Sequence, residues 1–229
     1  MQMIGLIGGM SWESTALYYR LINEAVRDRV GGVASAPLLL HSFDFAQIEA
    51  LQRSGDWDEA GRRLARAGVE LERSGAQVLL ICANTMHKVA PALEAATTVP
   101  VLHVADVAAD AVLAAGLNSV GLLGTSYTMT ETFLVDRIAG HGLTVKTPDA
   151  DDREAVHRVI YDELVRGRFE QSSRDLLVGV VDRLVAAGAE GVVLACTELA
   201  LLLRPEDMTV PMFPTTALHA AAAVDAALA

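Results

Sequence analysis

Basic residues are scarce in this chain. Lysine occurs only at 88 and 146, and 18 Lys and Arg stand against 29 Asp and Glu, a formal net charge of -11. A surface that neutralises phosphates needs clustered cations, so no nucleic-acid partner is expected. The two cysteines, Cys82 and Cys196, cannot build a disulfide framework. The opening "MQMIGLIGGMSWES" has neither the basic start nor the long apolar stretch of a signal peptide. No run of about 18 apolar residues is free of charge or turn signals, so no membrane span is expected. These absences predict a cytoplasmic protein with both thiols reduced. The histidines at 41, 87, 103, 141, 157 and 219 lack metal-ligand spacing. The glycines at 5, 8 and 9 miss the dinucleotide fingerprint, and neither a P-loop nor a motif for pyridoxal phosphate occurs. No metal and no cofactor are therefore expected.

What is present is apolar and alternating. Hydrophobic residues make up 52% of the 229 residues, aromatics only 5%, and alanine is abundant, as in a well-packed globular protein with closely approaching helices. Buried strands are predicted at 3–9, 36–43, 77–83, 100–105, 119–124 and 191–196. Helical periodicity fills 14–30, 56–74, 106–115, 153–166 and 173–187. Strands alternating with helices predict an α/β fold with parallel sheets.

The chain also repeats its punctuation. "IGLIGGMS" is answered by "VGLLGTSY", "RSGAQVLLICANT" by "AAGAEGVVLACTE", and "VPVLHVADVAADAVLAA" by "VPMFPTTALHAAAAVDAAL". From Gly5 to Gly121 the offset is 116, from Gly75 to Gly188 it is 113, and from Val99 to Val210 it is 111. Two similar, pseudo-symmetric lobes follow, each a parallel sheet flanked by helices, with the active site expected in the cleft between them. The lobes are expected at 1–98 plus 211–229 and at 99–210. The register equates Ala83 with Cys196, and Cys82 with Ala195. Neighbours on a strand point to opposite faces, so the two cysteines are not symmetry mates.

"ANT" and "CTE" each end a strand before a helix-like segment. Ligands bind at this end of strands in α/β sheets, and free amides at a helix start suit a carboxylate. Asn84, Thr85 and Thr197 serve equally well as helix caps. A thiol at Cys196 in such a turn is expected to have a lowered pKa and to act as base or nucleophile, or to be a small buried hydrophobe. Cys82, inside an apolar run, reads as the latter. Backbone amides near Gly9, Met10 and Thr125 suit an anionic substrate, or belong to ordinary tight turns.

Taken together, "IGLIGGMSWEST", "YYRLIN", "GDWDEAG", "NTMHKVA", "LLGTSYTMT", "IYDEL" and "ACTE" resemble the aspartate/glutamate racemase superfamily, specifically its broad-specificity branch, over essentially the whole chain. The resemblance implies a cofactor-independent amino-acid racemase, often a homodimer, with a small amino acid as substrate. It implies two groups, one per lobe, that remove and return the α-proton from opposite faces. Carried onto this chain, it makes Cys196 the second-lobe acid/base. It makes Asn84 and Thr85 the carboxylate-binding pair, and Met10 and Gln52 substrate contacts. Thr125, Thr128 and Thr197 fall in the second-lobe loops.

One position departs from the pattern. Relatives carry cysteine or threonine where this chain has Ala83, whose methyl group neither gives nor takes a proton. The expected activity is thus an impaired or inactivated racemase. The alternatives are a single-cysteine decarboxylase similar to arylmalonate decarboxylase, and a non-catalytic amino-acid-binding protein.

Overall fold

A computed structural model describes all residues, Met1–Ala229, in two compact units. Unit 1 comprises Met1–Val104 and His219–Ala229, and unit 2 comprises Ala105–Leu218. The chain begins with β1 (Ile4–Gly8), α1 (Trp12–Val30), β2 (Leu38–Ser42), α2 (Phe45–Ser54), α3 (Trp57–Arg73), β3 (Val78–Ile81), α4 (Ala90–Ala96) and β4 (Val101–Leu102). It continues through α5 (Val104–Ala114), β5 (Ser119–Gly124), α6 (Ser126–Thr130), α7 (Thr132–Gly140), β6 (Thr144–Lys146), α8 (Ala150–Arg158), α9 (Gln171–Ala186), β7 (Gly191–Ala195), α10 (Leu199–Leu202) and β8 (Met212–Pro214). The last helix, α11 (Thr215–Leu228), returns to unit 1. Each unit holds one four-stranded parallel sheet, ordered β2-β1-β3-β4 and β6-β5-β7-β8. The α/β class with two similar units is therefore observed.

The central strands β1, β3 and β7 are buried throughout. Helices cover both faces of such a sheet, so these strands read as continuous apolar runs rather than alternating ones. In unit 1, Ile4, Leu6, Val78, Leu80 and Cys82 pack with Tyr18, Ile22 and Val26 of α1 and with Ala220, Ala223 and Val224 of α11. Ile7, Leu79 and Ile81 pack on the other side with Leu64, Ala67 and Leu71 of α3 and Leu93 of α4.

The chain changes units at 104/105 and 218/219, six and eight residues later than the expected boundaries at 98/99 and 210/211. The reason is strand pairing. Leu79 and Leu80 of β3 pair with Val101 and Leu102 of β4, which ties that strand to unit 1. Val192, Val193 and Leu194 of β7 pair with Met212, Phe213 and Pro214 of β8, which ties that one to unit 2. Neither β6 nor β8 is among the predicted strands, because three residues give no periodicity and Pro214 counts against a strand except at a sheet edge, where it lies. The helix expected over 153–166 ends its regular turns at Arg158 and continues as a wider π turn, Val159–Glu163. That widening lets Val159, Ile160 and Leu164 all enter the core of unit 2. No helix is long and apolar enough to cross a membrane.

Unit 1 also buries a group of imidazoles. The His87 ring lies 4.5 Å from His103 and 5.7 Å from His219, centroid to centroid. His219 donates from Nε2 to the Leu102 carbonyl at 2.8 Å and accepts at Nδ1 from the Tyr18 hydroxyl at 2.9 Å. Burial lowers the His219 pKa from 6.5 to about 4. The native state thus holds this ring neutral while the unfolded chain protonates below 6.5. Stability is complete above that pH and declines toward pH 4, by about 3 kcal/mol from this group alone. Urea unfolding at pH 7.5 and 4.5 is expected to show that extra loss, and His219→Gln to reduce the pH sensitivity. Equal pH dependence in both proteins would count against the buried-imidazole account.

Candidate active site

Strand pairing measures the internal repeat independently of sequence similarity. Gly5 of β1 stands opposite Leu79 of β3, and Gly121 of β5 stands opposite Val192 of β7. Four residues beyond Leu79 is Ala83, and four beyond Val192 is Cys196. The faces agree as well. Ala83 packs with the cluster holding Leu79 and Ile81, and Cys196 belongs to the cluster holding Val192 and Leu194. Cys82 lies on the opposite face, fully buried with Val78 and Leu80. Burial raises its thiol pKa far above the ordinary value, so it stays an inert thiol.

In unit 1 the loop after β1 is tightly built. Gly9 has φ +83°, and a Cβ there would lie 2.2 Å from the Phe43 carbonyl oxygen, so only glycine fits. Its N–H donates to Thr15 Oγ1 at 2.9 Å, and that hydroxyl donates to the Ser11 carbonyl at 2.9 Å. The Gly9 amide is thereby used within the loop, as the tight-turn alternative expects, and not offered to an anion. Ser11 caps α1, accepting from the Ser14 N–H at 3.2 Å. Met10 is buried in the core, and Gln52 of α2 is buried with Nε2 donating to Met86 Sδ at 3.2 Å.

The loop after β3 carries Asn84 and Thr85 at the start of a short 3-10 turn, Thr85–Val89. Asn84 makes no side-chain cap hydrogen bond, and its buried Oδ1 has no partner. The capping role left open by the sequence is therefore not what fixes this side chain.

Unit 2 places the corresponding loops at the ends of β5 and β7. Thr125 Oγ1 is 3.1 Å from Thr128 Oγ1, which itself donates to the Thr125 carbonyl at 2.8 Å. Thr128 is fully buried over Gly124, where a Cβ would meet its hydroxyl at 2.5 Å. Its placement closes the loop from within. Thr197 Oγ1 pairs with Thr216 Oγ1 at 3.0 Å, and the neighbouring Thr215 donates to the Leu194 carbonyl at 3.0 Å.

Cys196 is 8% exposed, and its thiol donates to Glu198 Oε2 at 3.0 Å. The expectation of a lowered thiol pKa is reversed. Burial first, then the charge and hydrogen bond of the Glu198 carboxylate, raise it well above 9, outweighing the Glu198 and Leu199 amides that favour thiolate. At neutral pH this group is a proton donor whose S–H points at a carboxylate.

Sequence reasoning did not single out Glu198 or His157. The Glu198 carboxylate is visible in "ACTE", but nothing in that spacing says it turns back onto the thiol. His157 of α8 accepts from the Ser126 N–H at 3.3 Å, with its pKa lowered mainly by burial. It comes from an element about thirty residues away, so no local signal marks it. No group of three or more His, Cys, Asp or Glu is set to hold a metal ion.

The chain is similar to one family model and to three proteins of known structure. The family model described as Asp/Glu/Hydantoin racemase matches residues 7–223. A candidate Asp/Glu racemase of known structure from Yersinia pestis is 49% identical, with both chains covered in full and a TM-score of 0.96. An aspartate racemase homologue from Pyrococcus horikoshii OT3 is 31% identical over the whole of both chains, with a TM-score of 0.90. An aspartate racemase from Picrophilus torridus, 19% identical over 99% of this chain and 94% of its own, has a TM-score of 0.75 and shares the fold.

Proposed function

Because the chain belongs to the Asp/Glu/hydantoin racemase family, we propose that it works as a cofactor-independent enzyme on the α-carbon of a small amino acid, aspartate or glutamate first among them. Cys196 is its one surviving proton carrier, and position 83 is where the second belongs. The observation that carries this reading is the strand register that makes Ala83 and Cys196 equivalent. A racemase needs a group on each face of the α-carbon, and an alanine methyl supplies none.

The side chains around these positions suit an amino acid. Asn84, which the family resemblance pairs with Thr85 on the carboxylate, has its Oδ1 buried as an acceptor without a donor, a costly arrangement by about 1–3 kcal/mol that a substrate ammonium group relieves in place of that carboxylate contact. Thr85 and the amides at the loop ends are the candidates for the carboxylate, whose charge must be stabilised as the α-carbon becomes carbanion-like. We place the enzyme in the cytoplasm and as a homodimer on the family resemblance alone.

With one carrier, the α-proton leaves and returns on the same face. Incubated in D₂O, one enantiomer of aspartate or glutamate is expected to lose its α-¹H signal by NMR while chiral chromatography shows unchanged configuration. Absence of exchange in both enantiomers across a panel of amino acids overturns the reading. Carbon dioxide release from a substituted malonate under the same conditions would transfer the single-cysteine chemistry to decarboxylation.

A further inference from the structure

We propose that His87 is a positioning residue: it fixes the backbone carbonyl of Ala83 and so aims the side chains of residues 83, 84 and 85 at the substrate. The proposal rests on the racemase reading of that turn.

The ring's two bonds define its state without reference to titration. The Val104 N–H donates to His87 Nε2 at 3.2 Å, so Nε2 carries a lone pair. The Ala83 carbonyl oxygen, 2.9 Å from Nδ1, can only accept, so Nδ1 carries the proton. One neutral tautomer satisfies both, and the imidazolium would set an N–H against the Val104 N–H. The ring is 2% exposed and lies edge-on to His103. Burial and the neighbouring imidazoles of His103 and His219 disfavour its charged form.

This side chain replaces a backbone bond that the turn lacks. In an α-helix a carbonyl accepts from the N–H four residues on. Here the N–H of His87 turns to the Asn84 carbonyl at 3.1 Å, a tighter turn, and the imidazole of the same residue takes the Ala83 carbonyl instead. Its other nitrogen ties the turn to Val104, just beyond β4. The imidazole is therefore held at both nitrogens, and through it the carbonyl of residue 83 is tied to Val104. In unit 2 the repeat register, an offset of 113, places Ala200 at the equivalent position, which has no polar side chain. There the proton carrier is held by its own bond to Glu198. The histidine answers a need of unit 1 alone.

The test combines a ligand-free measurement with kinetics on the full chain. Long-range ¹H–¹⁵N correlation of the imidazoles is expected to find His87 neutral with its proton on Nδ1 between pH 6 and 8. In the Ala83→Cys background, His87→Leu is expected to lower kcat and raise KM for aspartate, each about tenfold, the size of one lost buried hydrogen bond. His87→Asn, whose side-chain N–H reaches the same carbonyl, is expected to restore most of the kcat while leaving KM intermediate. A proton on Nε2, His87→Leu kinetics equal to the parent, or a folded His87→Asn no better than His87→Leu overturns the proposal. If Ala83→Cys does not racemise, the racemase reading fails separately. The aspartate dissociation constants of the same variants then decide the positioning role, and a parent that binds no amino acid overturns that role too.

Discussion

Replacing Ala83 with cysteine is expected to raise racemisation of aspartate or glutamate by about 10²- to 10⁴-fold, the usual worth of a positioned acid/base group. Position 83 stands four residues beyond Leu79, the partner of Gly5, and Cys196 four beyond Val192, the partner of Gly121, each on the same face of its sheet. Ala83 is only half-buried at the end of an otherwise buried strand, so its β-carbon can carry a larger group without displacing the core beneath. Its carbonyl is already held by His87, which fixes the direction in which that group would point. Threonine is expected to give a smaller gain, because a hydroxyl ionises less readily than a thiol. Valine, matching threonine in shape without its hydroxyl, is expected to give none. Chiral chromatography of the product checks all three. A cysteine variant that exchanges the α-proton without inverting the centre would sink the two-carrier assignment, since it would show position 83 facing away from the substrate.

The same geometry shows what sequence could and could not reveal. The four long buried strands were legible because apolar residues run unbroken in "MIGLIGG", "QVLLICA", "SVGLLG" and "GVVLAC", and because each is followed by a glycine turn or a polar loop. The repeat was legible because "IGLIGGMS" and "VGLLGTSY" carry the same glycine punctuation, and strand pairing puts Gly5 and Gly121 at equivalent positions in the two units. The separation of Cys82 from Ala83 followed from strand alternation alone, and the two core clusters of unit 1 divide along it. What sequence did not show was set by side chains meeting from distant segments. Met212–Pro214 is a strand only because β7 lies beside it. The fate of the Gly9 amide depends on a threonine hydroxyl six residues on. Most consequential is the thiol pKa. A helix start near a cysteine suggests thiolate, but burial and a carboxylate two residues away reverse the sign. A linear motif gives the neighbours of Cys196 without giving their distances.

That reversal carries the second large effect. Cys196→Ala is expected to reduce α-proton exchange by about 10²- to 10⁴-fold, because no other proton carrier occupies an equivalent position. The pH dependence then distinguishes how the thiol works. Its pKa lies well above 9, so at neutral pH nearly all of it is protonated, and the thiolate that must remove the α-proton grows about tenfold per pH unit. Exchange is therefore expected to climb with pH through the neutral range and beyond pH 9, rather than level off near 7. Glu198→Gln removes the carboxylate charge and replaces the acceptor 3.0 Å from the sulfur with an amide able to donate to a thiolate. Its profile is expected to move to lower pH and its exchange rate at pH 7 to rise. The shift is partial, since burial, the largest cause of the raised pKa, is untouched. A Glu198→Gln profile displaced to higher pH would instead show the carboxylate accepting the thiol proton as part of the reaction, and Glu198 would then be the base that Cys196 serves.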